Sequence, residues 1–183
     1  MAMRSFLLIL TLATAGGAVA QHAGQQHQPQ PSGYAGMQTR DIKALSPEQV
    51  ADLREGRGMG ASLPAELNGA PGPMDVLELS EHLKVTQEQR TALERITADM
   101  KGSARQLGAQ VIAAEAELDK GFRTGSLDER SIADATALIA ALQGQLRAVH
   151  LVAHLKTKKL LSQEQVLAYN QARGYGTAGG HSH

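Results

Sequence analysis

The chain has no cysteine and no tryptophan. Without thiols no disulfide can form, so the fold must be held by packing alone, and thiolate chemistry is excluded. Aromatic residues make up 3% of the sequence, too few for a surface that stacks on bases or sugars. Neither sign of charge predominates, with 18 Lys and Arg against 18 Asp and Glu. No broad basic field is therefore available to attract nucleic acid. Beyond the first twenty residues, no apolar run is long enough to cross a bilayer. Nucleophile elbows, zincin motifs and paired carboxylates in a pocket setting are also lacking, which argues against an enzyme.

What remains is rich in Ala, Leu, Gln, Glu and Arg, the composition of a helical protein. The 183 residues are enough for one domain. Residues 1–20 read as a secretory signal. Arg4 supplies the positive start, Phe6 to Ala13 the apolar core, and Ala18-Val19-Ala20 a small-x-small cleavage site. The apolar run is too short for a membrane anchor, so the expectation is an exported chain, soluble in the periplasm after cleavage. Residues 21–44 are rich in Gln, His, Pro and Gly and have little to bury, which predicts a disordered leader. His22 and His27 within it are read as linker residues.

The expected fold is all-α: a long antiparallel helical hairpin with short flanking helices and disordered termini. The helical domain spans residues 45–173, and residues 174–183 form a tail carrying His181 and His183. The hairpin is built from a helix over Thr86 to about Lys120 and another over Ser126 to Leu161. The first carries an apolar stripe of Leu93, Ile96, Met100, Ala104, Leu107, Val111, Ala114 and Leu118, close to one residue in every 3.6. The second repeats the pattern with Ile132, Ala135, Leu138, Ile139, Leu142, Leu146, Val149 and Ala153. Ser126 and Glu129 suggest a capping box at its start. The short link Gly121-Phe122-Arg123-Thr124-Gly125 requires antiparallel neighbours. Short helices are expected after Ser46, over Leu63 to Leu67, from Pro73, and from Ser162 to about Ala172, with Tyr169 packing back on the hairpin. Gly56 to Gly60 is a connector; no strand precedes it and no Lys-Ser/Thr follows, so it is not a phosphate loop.

One short pattern occurs three times: Leu45-Ser-Pro-Glu-Gln, Val85-Thr-Gln-Glu-Gln and Leu161-Ser-Gln-Glu-Gln. Each is a helix start, with an apolar staple, a hydroxyl cap, and an acid and an amide in the first turn. With the signal, the all-helical chain and the long hairpin, these Leu-Thr/Ser-x-x-Gln-like repeats resemble the Spy/CpxP periplasmic stress proteins. That group includes CnrX-type and ZraP-type metal-resistance relatives. The resemblance covers roughly residues 45–172. It implies a homodimer whose helical cradle holds unfolded envelope proteins without ATP, or a partner of an envelope signalling protein. The metal-resistance branch implies instead a sensor or buffer of a divalent ion such as Zn, Cu or Ni; no other cofactor is implied.

The metal candidates are His150 and His154. On a helix, positions four apart share a face, so both imidazoles can reach one ion. Both fall at the edge of the apolar stripe, which predicts that they are accessible. Two ligands are too few for a tight site, so a third is sought in His82, Glu115, a partner chain or the tail. The same spacing also suits edge histidines without a metal. The chain departs from the CnrX-type pattern in having no matching His-x-x-x-His in its first helix. It also has Lys156, Lys158 and Lys159 where that branch carries Met. The candidates for holding clients are Met100 and Leu107, flanked by Arg90, Lys101 and Arg105, expected on an uncovered side of the hairpin.

Overall fold

The computed structural model describes residues 31–175, all helix, turn or loop. The expected signal, most of the leader, and the end of the tail lie outside these residues. The chain divides into two units, residues 1–35 and 36–183. The described part of the first is a turn closed by the Ala35 N–H on the Ser32 carbonyl at 2.9 Å. The second unit holds the helices: α1 (Pro47–Glu55), α2 (Leu63–Glu66), α3 (Pro73–Glu78), α4 (Gln87–Thr124), α5 (Glu129–Leu160) and α6 (Gln163–Ala172).

Helices α4 and α5 have 38 and 32 residues; α4 is thus about 57 Å long. They pair along their length as the expected hairpin. The apolar stripe of α4 turns inward at Leu93, Met100, Ala104 and Val111, and that of α5 at Ile139, Leu142, Leu146 and Ala153. Helices α1 and α3 pack on α4, α2 packs on α5, and α3 reaches both. Two apolar clusters result. One joins Leu45 and Leu53 to Ala104, Val111, Leu142 and Leu146. The other joins Val76, Leu83 and Leu93 to Tyr169, so α6 does fold back on the hairpin.

The hairpin turn differs from its expected form. Helix α4 runs through Gly121 to Thr124, and Gly125 ends it in a left-handed conformation at φ 66°. The cap of α5 is Asp128, not Ser126: its carboxylate accepts from the Ser131 N–H at 2.8 Å, and Ser131 reaches back to the Asp128 N–H. Asp and Ser cap comparably, but at a helix start only Asp adds a full negative charge to the positive end of the helix dipole. Leu127 lies over Gly121, where a Cβ would stand 2.6 Å from the Leu127 side chain, so the close turn uses the missing side chain. Residues 36–44, assigned by composition to the leader, also take a defined course. Met37–Thr39 form a 3-10 turn, Ile42 packs against the first cluster, and the Lys43 N–H donates to Asp119 at 3.3 Å.

The three repeated motifs start α1, α4 and α6, each with a complete capping box. In each box the reciprocal partner is the Gln at the third helical position: Gln49, Gln89 or Gln165. Two of these glutamines also hold each other. The Gln89 amide donates to Gln165 Oε1 at 2.9 Å, and that of Gln165 to Gln89 Oε1 at 3.0 Å. Their amides also reach the carbonyls of Leu160 and Leu83, at 2.7 and 3.1 Å. The second and third repeats are thus one joint that pins the starts of α4 and α6 to the end of α5.

Where α1 crosses α4 the backbones nearly touch. A Cβ on Gly108 would lie 2.1 Å from the Leu53 carbonyl oxygen. Gly144, on α5, faces open space. Gly108→Ala should therefore lower stability by about 2 kcal/mol through forced displacement of α1. Gly144→Ala should raise it by about 0.5–1 kcal/mol through helix propensity. Urea unfolding followed by circular dichroism measures both; a neutral Gly108→Ala would contradict the close crossing.

Candidate functional site

The structure places His150 and His154 in the interior, not at an accessible edge. Their relative exposures are 3% and 7%. The wheel position considered α5 against α4 alone; the segments around α2 and α3 cover the face on which both imidazoles lie. Two glycines make room for them. Gly58 lies over His150, where a Cβ would be 3.4 Å from Nδ1, and Gly72 lies over His154, where a Cβ would be 3.2 Å from Nε2. A side chain at position 72 would crowd Asp75 and His154, whereas a Cβ at position 58 would meet His150 at ordinary contact distance.

Both histidines line a cleft of about 350 Å³ together with Glu55, Arg57, Ser62, Met74, Asp75, Met100, Lys101 and Arg105. His154 has a defined tautomer. Its Nδ1 lies 2.7 Å from the Ala70 carbonyl oxygen, and a carbonyl only accepts, so Nδ1 carries the hydrogen. In the neutral ring Nε2 then holds a free lone pair. A ring nitrogen anchored on a carbonyl while the other stays free is the usual arrangement of a metal-ligating histidine. Glu66 stands behind it, with Oε2 3.5 Å from Nδ1. Glu66 is itself held: it accepts from the Gly72 N–H at 3.2 Å and from the Tyr169 hydroxyl.

His150 has no such anchor. Its Nε2 is buried without a hydrogen-bond partner. Burial, with a smaller contribution from His154, holds its imidazole below the ordinary 6.5. Burial also pushes the Asp75 carboxyl up, and neighbouring Glu66 adds to this. Arg173 opposes that shift, donating to Asp75 at 3.0 Å and to Glu78 at 2.6 Å, with its guanidinium 5.7 Å from the centre of the Tyr169 ring.

The other expected residues scatter. His82 is exposed on the turn after α3, and Glu115 is half-buried on α4; neither lines the cleft. Burial pushes the Glu115 carboxyl up. Arg90 is tied to Ser80 at 2.8 Å. Met100 is buried at 8% exposure, so it does not sit on an uncovered side. With Lys101 and Arg105 it lines the histidine cleft. Met100 also borders a hollow with Val149 and Val152 on the other side of the α4–α5 seam, the side on which Leu107 lies. There α4 and α5 alone line a groove through Val149, Val152, Ala148 and Gln110. The groove continues to Leu118, Ala135 and Leu138.

Sequence reasoning missed Glu66 and Asp75. They come from short elements between Pro and Gly, and Glu66 meets Tyr169 across 103 positions. No local periodicity marks such a partner.

The fold and cleft define a class, an all-helical hairpin protein with a buried histidine pair. No protein-family model, curated protein or solved structure matches the chain. Among the described residues, no helix is long and apolar enough to cross a membrane.

As pH falls below 6.5, the unfolded chain protonates His150 before the folded one does, so stability is lost from there down to the lowered folded value. His150→Leu removes that loss and the unpartnered nitrogen. It should raise stability at pH 7 by roughly 1 kcal/mol and flatten the slope below pH 6.5. Urea melts from pH 8 to pH 5 (about three units of pH) read both effects; an unchanged slope would show that His150 is not the titrating group.

Proposed function

We propose that this chain is an exported, non-enzymatic helical protein that binds a transition-metal ion through His150 and His154, in the manner of the metal-resistance relatives it resembles. One observation carries the reading: the Nε2 of His150, a residue that lines the cleft, is buried without a hydrogen-bond partner. A buried polar atom without a partner costs about 1–3 kcal/mol, and a bound ion would offset that cost. The free lone pair on His154, one turn away, supplies a second donor of the same kind. The pairing of Nδ1 with a carbonyl supports the same reading.

Calorimetry with Zn(II), Cu(II) and Ni(II) tests it, on the full chain with His22, His27, His181 and His183 replaced by Asn. Binding on the order of micromolar or tighter is expected, and it should be lost in the His150→Ala, His154→Ala double variant. Circular dichroism must show that variant still helical. Identical isotherms for a folded double variant would end the metal reading.

A second reading, ATP-independent holding of unfolded envelope proteins, is supported by the groove on the bare face of α4 and α5. Leu138 and Val152 are 54% and 46% exposed there. Gln106, Gln110 and Gln145 border it without charge, which suits varied apolar segments. A homodimer would use the same face. If this reading holds, the chain suppresses aggregation of a denatured client without metal, and Leu138→Glu with Val152→Glu abolishes the suppression. Undiminished suppression in that variant would remove the groove from the account.

A further inference from the structure

Charges balance over the whole chain but not along α5. From residue 135 to residue 160 this helix has no Asp or Glu, and it carries Arg147, Lys156, Lys158 and Lys159. The helix dipole accounts for cations in the last turn, Lys158 and Lys159. It does not account for about seven turns without an acid. Asp99 borders a hollow with Lys156, and Glu164 follows in the first turn of α6. Among the described residues, the four cations nevertheless enter no ion pair.

The same turns of α5 expose apolar side chains. Val152 and Leu155 are 46% and 51% exposed; Leu151 is half-buried, and Lys156, Lys158 and Lys159 are exposed. The opposite side of these turns is interior, with His150, Ala153, His154 and Thr157 buried. At 3.6 residues per turn, the outward face therefore centres on Val152, Leu155 and Lys159. Arg147 and Lys158 lie on one flank of it and Lys156 on the other. Elsewhere exposed apolar groups keep acidic company. Leu138 shares its hollow with Glu117, and Phe122 precedes Arg123, which pairs with Asp119 at 3.1 Å.

An apolar strip flanked by cations, on a helix whose far side is core, suits an anionic bilayer surface. The apolar groups can enter the headgroup layer while the lysine stems carry their ammonium groups to the lipid phosphates. A soluble polyanion would use the cations and leave Val152 and Leu155 in water. We propose that the outward face at the C-terminal end of α5 docks on the surface of an anionic phospholipid bilayer. Leu155 and Val152 enter the headgroup layer, and Lys156, Lys158 and Lys159 meet the phosphates. Val152 also borders the groove between α4 and α5; Leu155 does not, so Leu155 is the apolar position to test. The proposal does not depend on metal binding.

The test is sedimentation with vesicles of phosphatidylglycerol and phosphatidylcholine in equal parts, against vesicles of phosphatidylcholine alone. It uses the full chain, with a parallel sample beginning at Gln21 so that the apolar segment 1–20 cannot account for binding. Both should bind the anionic vesicles more tightly than the neutral ones. Raising salt from about 0.05 to about 0.5 M should release the shorter chain, because screening shortens the reach of the charges. Lys156→Gln with Lys158→Gln and Lys159→Gln should weaken binding about a hundredfold, since each cation near an anionic surface contributes about fivefold. Leu155→Gln should weaken it at least about threefold. Lys120→Gln with Arg123→Gln, at the hairpin turn, should stay within about threefold of the parent. Circular dichroism checks that each variant is still helical. Equal binding to neutral vesicles by the shorter chain, or parent-like binding by the triple variant, would overturn the proposal. So would an equal loss in the hairpin-turn variant, which would reduce the effect to net charge. Binding to soluble polyglutamate without binding to vesicles would assign the face to an acidic protein partner and also overturn it.

Discussion

Two long helices in contact along one seam have two sides to that seam, and short elements can cover only part of it. Helices α4 and α5 are far longer than α1, α2, α3 or α6. The short helices gather on one face, where α1 crosses at Gly108 and α3 reaches both partners. That face becomes the interior. The other is left as a groove lined by the hairpin alone. This division decides the environment of every residue of interest. His150 and His154 lie on the covered side, Leu107, Val152 and Leu138 on the bare one, and Met100 at the seam between them. A protein made of the hairpin alone would leave both sides wet, with no low-dielectric place for an imidazole pair.

How tightly the cover is fixed follows from where its backbone hydrogen bonds go. Three of the helices start on complete capping boxes whose third-position residue is Gln. A Glu there would close the box equally well. It could not make the further bonds of Gln89 and Gln165, because a carboxylate has no hydrogen to donate to a carbonyl or to a facing amide oxygen. The amide both accepts and donates. Each of these glutamines satisfies its own helix start with its oxygen, and a carbonyl of a neighbouring segment with its nitrogen. At two of the three motifs the Gln therefore has a tertiary role, which a reading of each motif as an isolated helix start does not contain.

The same distinction explains what could be read in advance. Ser46, Thr86 and Ser162 were legible as caps because cap, staple and first turn lie within a few residues of each other. The stripe from Leu93 to Leu118 was legible because its period is local. Ser126 misled because Asp128 competes for the same role two residues later, and the spacing alone does not weigh a charge against the helix dipole. The accessibility of His150 and His154 was not legible for a different reason. They are covered by segments around Gly58 and Gly72, far away in sequence, and at Gly72 the close approach needs a missing side chain. The absence of a side chain gives no periodic signal. Glu66, which sits behind His154 and accepts from Tyr169, is hidden likewise.

The cleft is an energetically poor way to fill a core. A leucine at position 150 would bury a similar volume and leave no nitrogen stranded, and cores are generally more stable without unpartnered polar atoms. Around it the chain takes the opposite care. His154 is anchored on a carbonyl, Glu66 accepts from both a hydroxyl and a backbone N–H, and Arg173 bridges Asp75 and Glu78. Polar satisfaction is thus nearly complete around the pair and fails at the His150 Nε2. Loose packing would scatter such failures; only one other buried side-chain atom among the described residues lacks a partner, the Asn170 oxygen.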